Sequence, residues 1–113
     1  MRASDTWVCV ADGAHARFYQ CDGPGRDLEP VIDFGIARHG APFSQRLAGQ
    51  LDRAARAHCY EHLVLVGPQS TMREVEDCMS DQTRTMIVGE IPRDLQRASP
   101  HELFCHVMAY LPH

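Results

Sequence analysis

Lysine and asparagine are both absent from the 113 residues, so all eleven basic side chains are arginines. The gap reads as codon bias in a GC-rich genome and carries little chemistry. An excess of positive charge is also missing. Eleven basic residues face fifteen acidic ones for a formal charge of −4, the wrong sign for a protein that coats itself in phosphate, so any RNA contact must be local. Apolar runs are only a few residues long, whereas a membrane-spanning helix needs about 20. None of the five cysteines stands in Cys-x-x-Cys spacing, which argues against a metal site. Most of these thiols are expected to be small buried hydrophobes. Met1-Arg2-Ala3-Ser4-Asp5 lacks the charged-then-apolar pattern of a secretory signal, so a cytoplasmic location is expected.

What remains is an ordinary globular composition, 44% apolar and 23% charged, which disfavours disorder. A chain of this length supports one packed core without disulfides or a structural metal. One domain over residues 1–113 is therefore expected, with no internal repeat.

Thr6 to Ala11 is β-rich, Asp12-Gly13 signals a two-residue turn, and Ala14 to Cys21 returns as the second arm of a hairpin. In that register Cys9 opposes Ala16 and Ala11 opposes Ala14. Asp22-Gly23-Pro24-Gly25 breaks the chain, and Glu29 to Ile36 alternates as a third strand. From Pro42 the period becomes helical, with Phe43, Leu47, Leu51, Ala54 and His58 on one face and Arg46, Gly49, Arg53 and Arg56 opposite. His62 to Val66 reads as a buried strand, Met72, Val75 and Met79 as a short helical stripe, and Thr83 to Ile91 as a further strand. Ser99-Pro100-His101-Glu102 has capping-box spacing ahead of a last helix. The expected fold is α/β, a mixed five-stranded sheet in the order 3-2-1-4-5 with its first three strands an antiparallel meander, and three helices.

Several segments, in order, resemble the bacterial host attachment protein family, which is related to the middle domain of archaeal and eukaryotic peptide-chain release factors. They are Trp7 to Phe18 around Ala11-Asp12-Gly13-Ala14, then Phe43-Ser44-Gln45-Arg46-Leu47-Ala48, then His62 to Pro68, then Val88 to Leu95. The resemblance implies a translational-machinery-component fold with ribonuclease-H-like topology. It also implies that Asp12, Gly13, Arg17 and Asp94 fall in family motifs, where structural roles are expected; Arg17 and Asp94 are read as partners in an ion pair or a loop anchor.

A release factor places a Gly-Gly-Gln tip before the first helix to position water against a peptidyl-tRNA ester. Here the connection reads Arg38-His39-Gly40-Ala41-Pro42-Phe43 and the Gly-Gly-Gln is absent. Neither Gln45 nor Gln50 has a glycine pair beside it, so no catalytic residue is assigned. Arg38, His39, Arg46, Arg53 and Arg56 are the candidate RNA contacts, because a guanidinium fork suits phosphate oxygens. The plainer reading is a solvated helix face. No aromatic residue interleaves the arginines, which disfavours a stacking platform. His58, Cys59 and His62, and His101, Cys105 and His106, do not make a convincing metal set. Asp12, Asp33 and Asp94 do not converge as a nuclease site would require. Trp7 and Phe18 are expected to be core or sheet-face packing, not a ligand platform.

The expected function is thus a non-catalytic binding module that contacts the ribosome or tRNA, with no cofactor, metal, membrane or DNA. The alternatives are a homo-oligomeric interaction protein connected indirectly with attachment to host cells, and a degenerate peptidyl-tRNA hydrolase.

Overall fold

The computed structural model describes residues 6–12, 15–21, 29–30, 42–95 and 97–110. Strand β1 (Thr6–Ala11) is buried along its whole length, as a strand covered on both faces must be. It pairs antiparallel with β2 (Ala16–Cys21) on one side and parallel with β4 (His62–Val66) on the other. Beyond β4 lies β5 (Ile87–Ile91), again parallel, with an irregularity that leaves Val88 without a partner between the Leu63–Ile87 and Val64–Gly89 pairs. A two-residue strand, β3 (Glu29–Pro30), pairs outside β2, so the order is β3-β2-β1-β4-β5.

The helices are α1 (Phe43–Arg56), α2 (Gln69–Cys78), α3 (Asp81–Arg84) and α4 (Pro100–Val107), the last running into a 3-10 turn over Met108–Tyr110. The two-residue period of the strands divides the core. Trp7, Cys9, Leu63 and Leu65 point to one side, where Leu47, Ala48, Leu51, Ala54 and Ala55 of α1 and Met72 and Val75 of α2 cover them. Val8, Val10, Val64 and Val66 point to the other, against Leu103 and Val107 of α4. Alanine at three of the α1 positions lets that helix approach the sheet closely. Each fully buried leucine or valine adds about 1.5–3 kcal/mol over its exposed state.

Trp7 sits between two aromatic rings, Phe18 at 6.0 Å and Tyr60 at 5.3 Å between centroids, both tilted. The Tyr60 hydroxyl donates to the Leu51 carbonyl at 2.8 Å, which ties the chain after α1 back onto the helix. Burial of Cys9 in this cluster pushes its thiol up to about 12, so the sulfur is an inert apolar group at neutral pH.

Several expectations about the fold are corrected. Among the described residues the expected five strands and three helices are instead four strands of five or six residues, in the order β2-β1-β4-β5 with only the two-residue β3 beyond β2, and four helices. Of the third strand expected over Glu29 to Ile36, Glu29–Pro30 pairs with β2, and residues 31–36 lie outside the described residues. The extra helix lies where Thr83 to Ile91 reads as strand. Ser80 caps α3, its hydroxyl accepting from the Thr83 N–H at 3.3 Å. Asp52 of α1 holds Ser80 in turn, accepting from its backbone N–H at 3.2 Å and its hydroxyl at 3.2 Å. A local cap plus a tether from 28 residues upstream overrides the β-propensity of the threonines.

The hairpin register is also shifted. Ala11 opposes Ala16 and Cys9 opposes Phe18, because Asp12 and His15 close the turn, the Asp12 N–H donating to the His15 carbonyl at 3.1 Å. A slip of two residues keeps each side chain on its expected face. Helix α1 stops at Arg56, so His58 is not on its apolar face. The Cys59 N–H reaches the Ala54 carbonyl and the His58 N–H that of Ala55, a Schellman ending in which His58 takes φ +58°, a place glycine usually fills. Finally, Cys9 and Cys21 are buried, but Cys59, Cys78 and Cys105 are exposed, and all five are free.

At the carboxyl ends of β1 and β4, Gly67 has φ +156°, and a Cβ there would lie 2.4 Å from the Ala11 carbonyl oxygen. Only glycine lets β4 leave the sheet this close to β1.

Candidate functional site

Open α/β sheets commonly bind ligands beyond the carboxyl ends of their strands. Among the described residues only a small gap lies there. The space between Cys9, Ala11, Leu47, Leu65, Val66, Thr71, Met72 and Val75 is apolar and amounts to about 10 Å³, too little for more than one water. The chemistry lies instead on the outer face of α1.

At about 100° per residue, Gln45, Arg46, Gly49, Arg53 and Arg56 fall on one stripe of α1, opposite the buried Leu47, Leu51 and Ala54. Their side chains border an open groove of about 340 Å³. Arg46 is half-buried, whereas Arg53 and Arg56 are exposed. Arg53 and Arg56 occupy the last turn, where cations also complement the helix dipole. Asp52 is the one carboxylate in α1, and it is engaged by Ser80. The groove therefore presents guanidinium groups without an acidic side chain from its own helix among them. This arrangement can accept a phosphate or carboxylate ligand through paired N–H donors.

Gly49 lies at the floor of the groove. A Cβ added there meets nothing within 4 Å among the described residues, so no packing contact calls for a glycine. In a helix interior it costs about 1 kcal/mol relative to alanine.

The structure brings Arg46, Arg53 and Arg56 together, while Arg38, His39, Gly13 and Asp33 lie outside the described residues. Asp12 is exposed, and its carboxylate accepts from the His15 N–H at 2.7 Å, which makes it part of the hairpin turn. Arg17 stands opposite Val10 on β2 and Asp94 follows β5, both of them exposed. The Cys105 sulfur and His101 Nε2 are 4.0 Å apart on α4. Among the described residues no group of three or more His, Cys, Asp and Glu side chains is placed to hold a metal ion.

Two features escaped the sequence reading. Gln45 joins Gly49 and the arginines around one groove, and its place one turn before Gly49 was the available signal. The other is a carboxyl pair at the sheet edge. Glu76 of α2 is pushed above the usual carboxylate range by burial first, then by its hydrogen bond to Glu90 of β5 and by the charges of Glu90 and Asp77, with Arg84 acting the other way. No sequence signal marks that pair, because Glu76 and Glu90 meet only through tertiary packing.

No helix among the described residues is long and apolar enough to cross a membrane. No curated protein matches the chain. A family match covers residues 33–107, about two thirds of the chain, from before α1 to the end of α4, and leaves the opening hairpin outside. It carries the release-factor part of the resemblance described above and not the host-attachment name. With the arginine groove lying inside the matched span, the chain belongs to bacterial archaeo-eukaryotic release factor family 12.

Proposed function

We propose that this protein is a non-catalytic, translation-associated binding module that meets ribosomal or transfer RNA through the outer face of α1. The observation that carries the reading is the convergence of Arg46, Arg53 and Arg56 on one groove while the chain as a whole is acidic. Contact is then confined to a patch, as the net charge requires. Family membership supports an association with translation. The absence of any Gly-Gly-Gln sequence supports binding without ester hydrolysis, since the one helical Gly-Gln pair, Gly49-Gln50, lies in regular α1.

The test is a gel shift with tRNA or ribosomal RNA fragments at several salt concentrations. Three phosphate contacts give a slope of log K against log salt of about −2 to −3. Arg53→Glu with Arg56→Glu abolishes the shift, and an unchanged shift refutes the reading.

A second reading is self-association, connected only indirectly with attachment to host cells. It draws on Val88, Met108 and Tyr110, which are 39%, 50% and 41% exposed around β5, the outermost strand on that side of the sheet. Edge strands with apolar neighbours are prone to pair with a second copy. Sedimentation velocity over a range of concentrations separates the two, because self-association gives a concentration-dependent dimer without RNA.

A further inference from the structure

Phosphate contact alone does not require the glycine at the floor of the α1 groove. We infer that the groove is a site for a single nucleotide unit, its phosphate held between the forks of Arg46 and Arg53 and its ribose and base lying across the bare backbone of Gly49. The inference rests on the RNA reading above and assigns the unit that the same face recognises.

Four observations carry it. Gly49 has open space above it, with nothing within 4 Å of where a Cβ would stand among the described residues, so a side chain there would project into the groove and strike no protein atom. The glycine keeps the floor flat for a ligand, as glycine does wherever a backbone must be approached closely. Next, about 340 Å³ is within the range of small-molecule sites and well beyond what one phosphate fills. Third, Arg46 and Arg53 bracket Gly49 two turns apart, about 10 Å along the axis, so their long side chains can converge on one point between them. Last, Gln45 and Arg56 complete the rim. The Gln45 amide offers both a donor and an acceptor to a base edge, and the Arg56 guanidinium offers a plane on which a base stacks. A carboxylate ligand would use the forks but neither the flat floor nor the amide.

The experiment titrates the isotope-labelled full chain with uridine monophosphate, inorganic phosphate and an oligoglutamate peptide, following backbone amide shifts, and measures a fluorescein-labelled oligouridylate by anisotropy. Uridine monophosphate should shift the Gly49, Arg46 and Arg53 amides and bind roughly ten-fold more tightly than inorganic phosphate. Gly49→Leu should lose that preference with a thermal midpoint at or above that of the native chain, and Gly49→Ala should show a smaller loss in the same direction. Uridine monophosphate binding no better than phosphate, an equal response to oligoglutamate, or full nucleotide binding by Gly49→Leu would each overturn the proposal. Oligouridylate bound equally by the native chain and Gly49→Leu, but lost in the double Arg53/Arg56 variant, overturns the nucleotide site and leaves the RNA reading standing. Nucleotide shifts at Gly49 without oligouridylate binding support the nucleotide site and remove the RNA reading.

Discussion

The two faces of the sheet are closed by different means. On one, the fourteen-residue α1 and α2 lie over Trp7, Phe18, Tyr60, Leu63 and Leu65, with alanines at the contact and a hydroxyl locked to a helix carbonyl. On the other, the eight-residue α4 covers a row of valines, and Val88, Met108 and Tyr110 remain exposed. The first face gains its stability from area and rigid ring packing. The second relies on local devices, above all the Ser99 capping box, in which the Glu102 N–H donates to the Ser99 hydroxyl and the Ser99 N–H to the Glu102 carboxylate. The groove sits on the outside of the better-covered layer, where the supporting helix is held most firmly.

Cutting the same side chain out of each layer puts the contrast to its hardest test. Leu51→Ala and Leu103→Ala remove leucines that are 0% and 1% exposed, and both should cost about 2–5 kcal/mol. Leu51 should fall at the upper end, because its aromatic neighbours cannot collapse into the cavity, whereas half-buried Leu95 and Phe104 can shift toward the space left by Leu103. Urea midpoints decide, and the opposite order would break the comparison. A smaller loss is expected for Ser99→Ala, about 1 kcal/mol, with amide exchange speeding up in the first turn of α4 and not in α1.

The Glu76–Glu90 contact gives the smallest effect. With its carboxyl held above the ordinary range, Glu76 favours the fold in its protonated form. That contribution is complete below the unfolded carboxyl range and lost as pH rises through the raised native value. Glu76→Gln should therefore stabilise the chain at pH 7 by less than about 1 kcal/mol, the scale of partly exposed pairs. The gain should shrink on acidification, and stability curves measured at several pH values would show whether it does.

Where one local rule acted alone, the sequence was legible. Ser99 and Glu102 announced their cap, the 3.6-residue period of Leu47, Leu51 and Ala54 announced α1 and set Arg46, Arg53 and Arg56 on its far side, and His62 to Val66 read as a buried strand. Legibility failed where distant residues decided. Asp52 fixes Ser80 and with it α3, and nothing near Thr83 discloses that. The Asp12 turn admitted two closures, and the Asp12–His15 pairing chose the longer one. His58 terminates α1 in a conformation that glycine signals and histidine does not. Of the groove, the arginines were visible from spacing. Gly49 shared that spacing, and Gln45 joins them only in the folded groove.

Helix α1 keeps its two sides independent. The side chains that seal it to the sheet, Leu47, Ala48, Leu51, Ala54 and Ala55, lie on the side away from Gln45, Gly49, Arg53 and Arg56. Substitutions among Gln45, Arg53 and Arg56 are therefore nearly invisible to folding. Selection can retune what the groove recognises, residue by residue, on a scaffold that does not register the change.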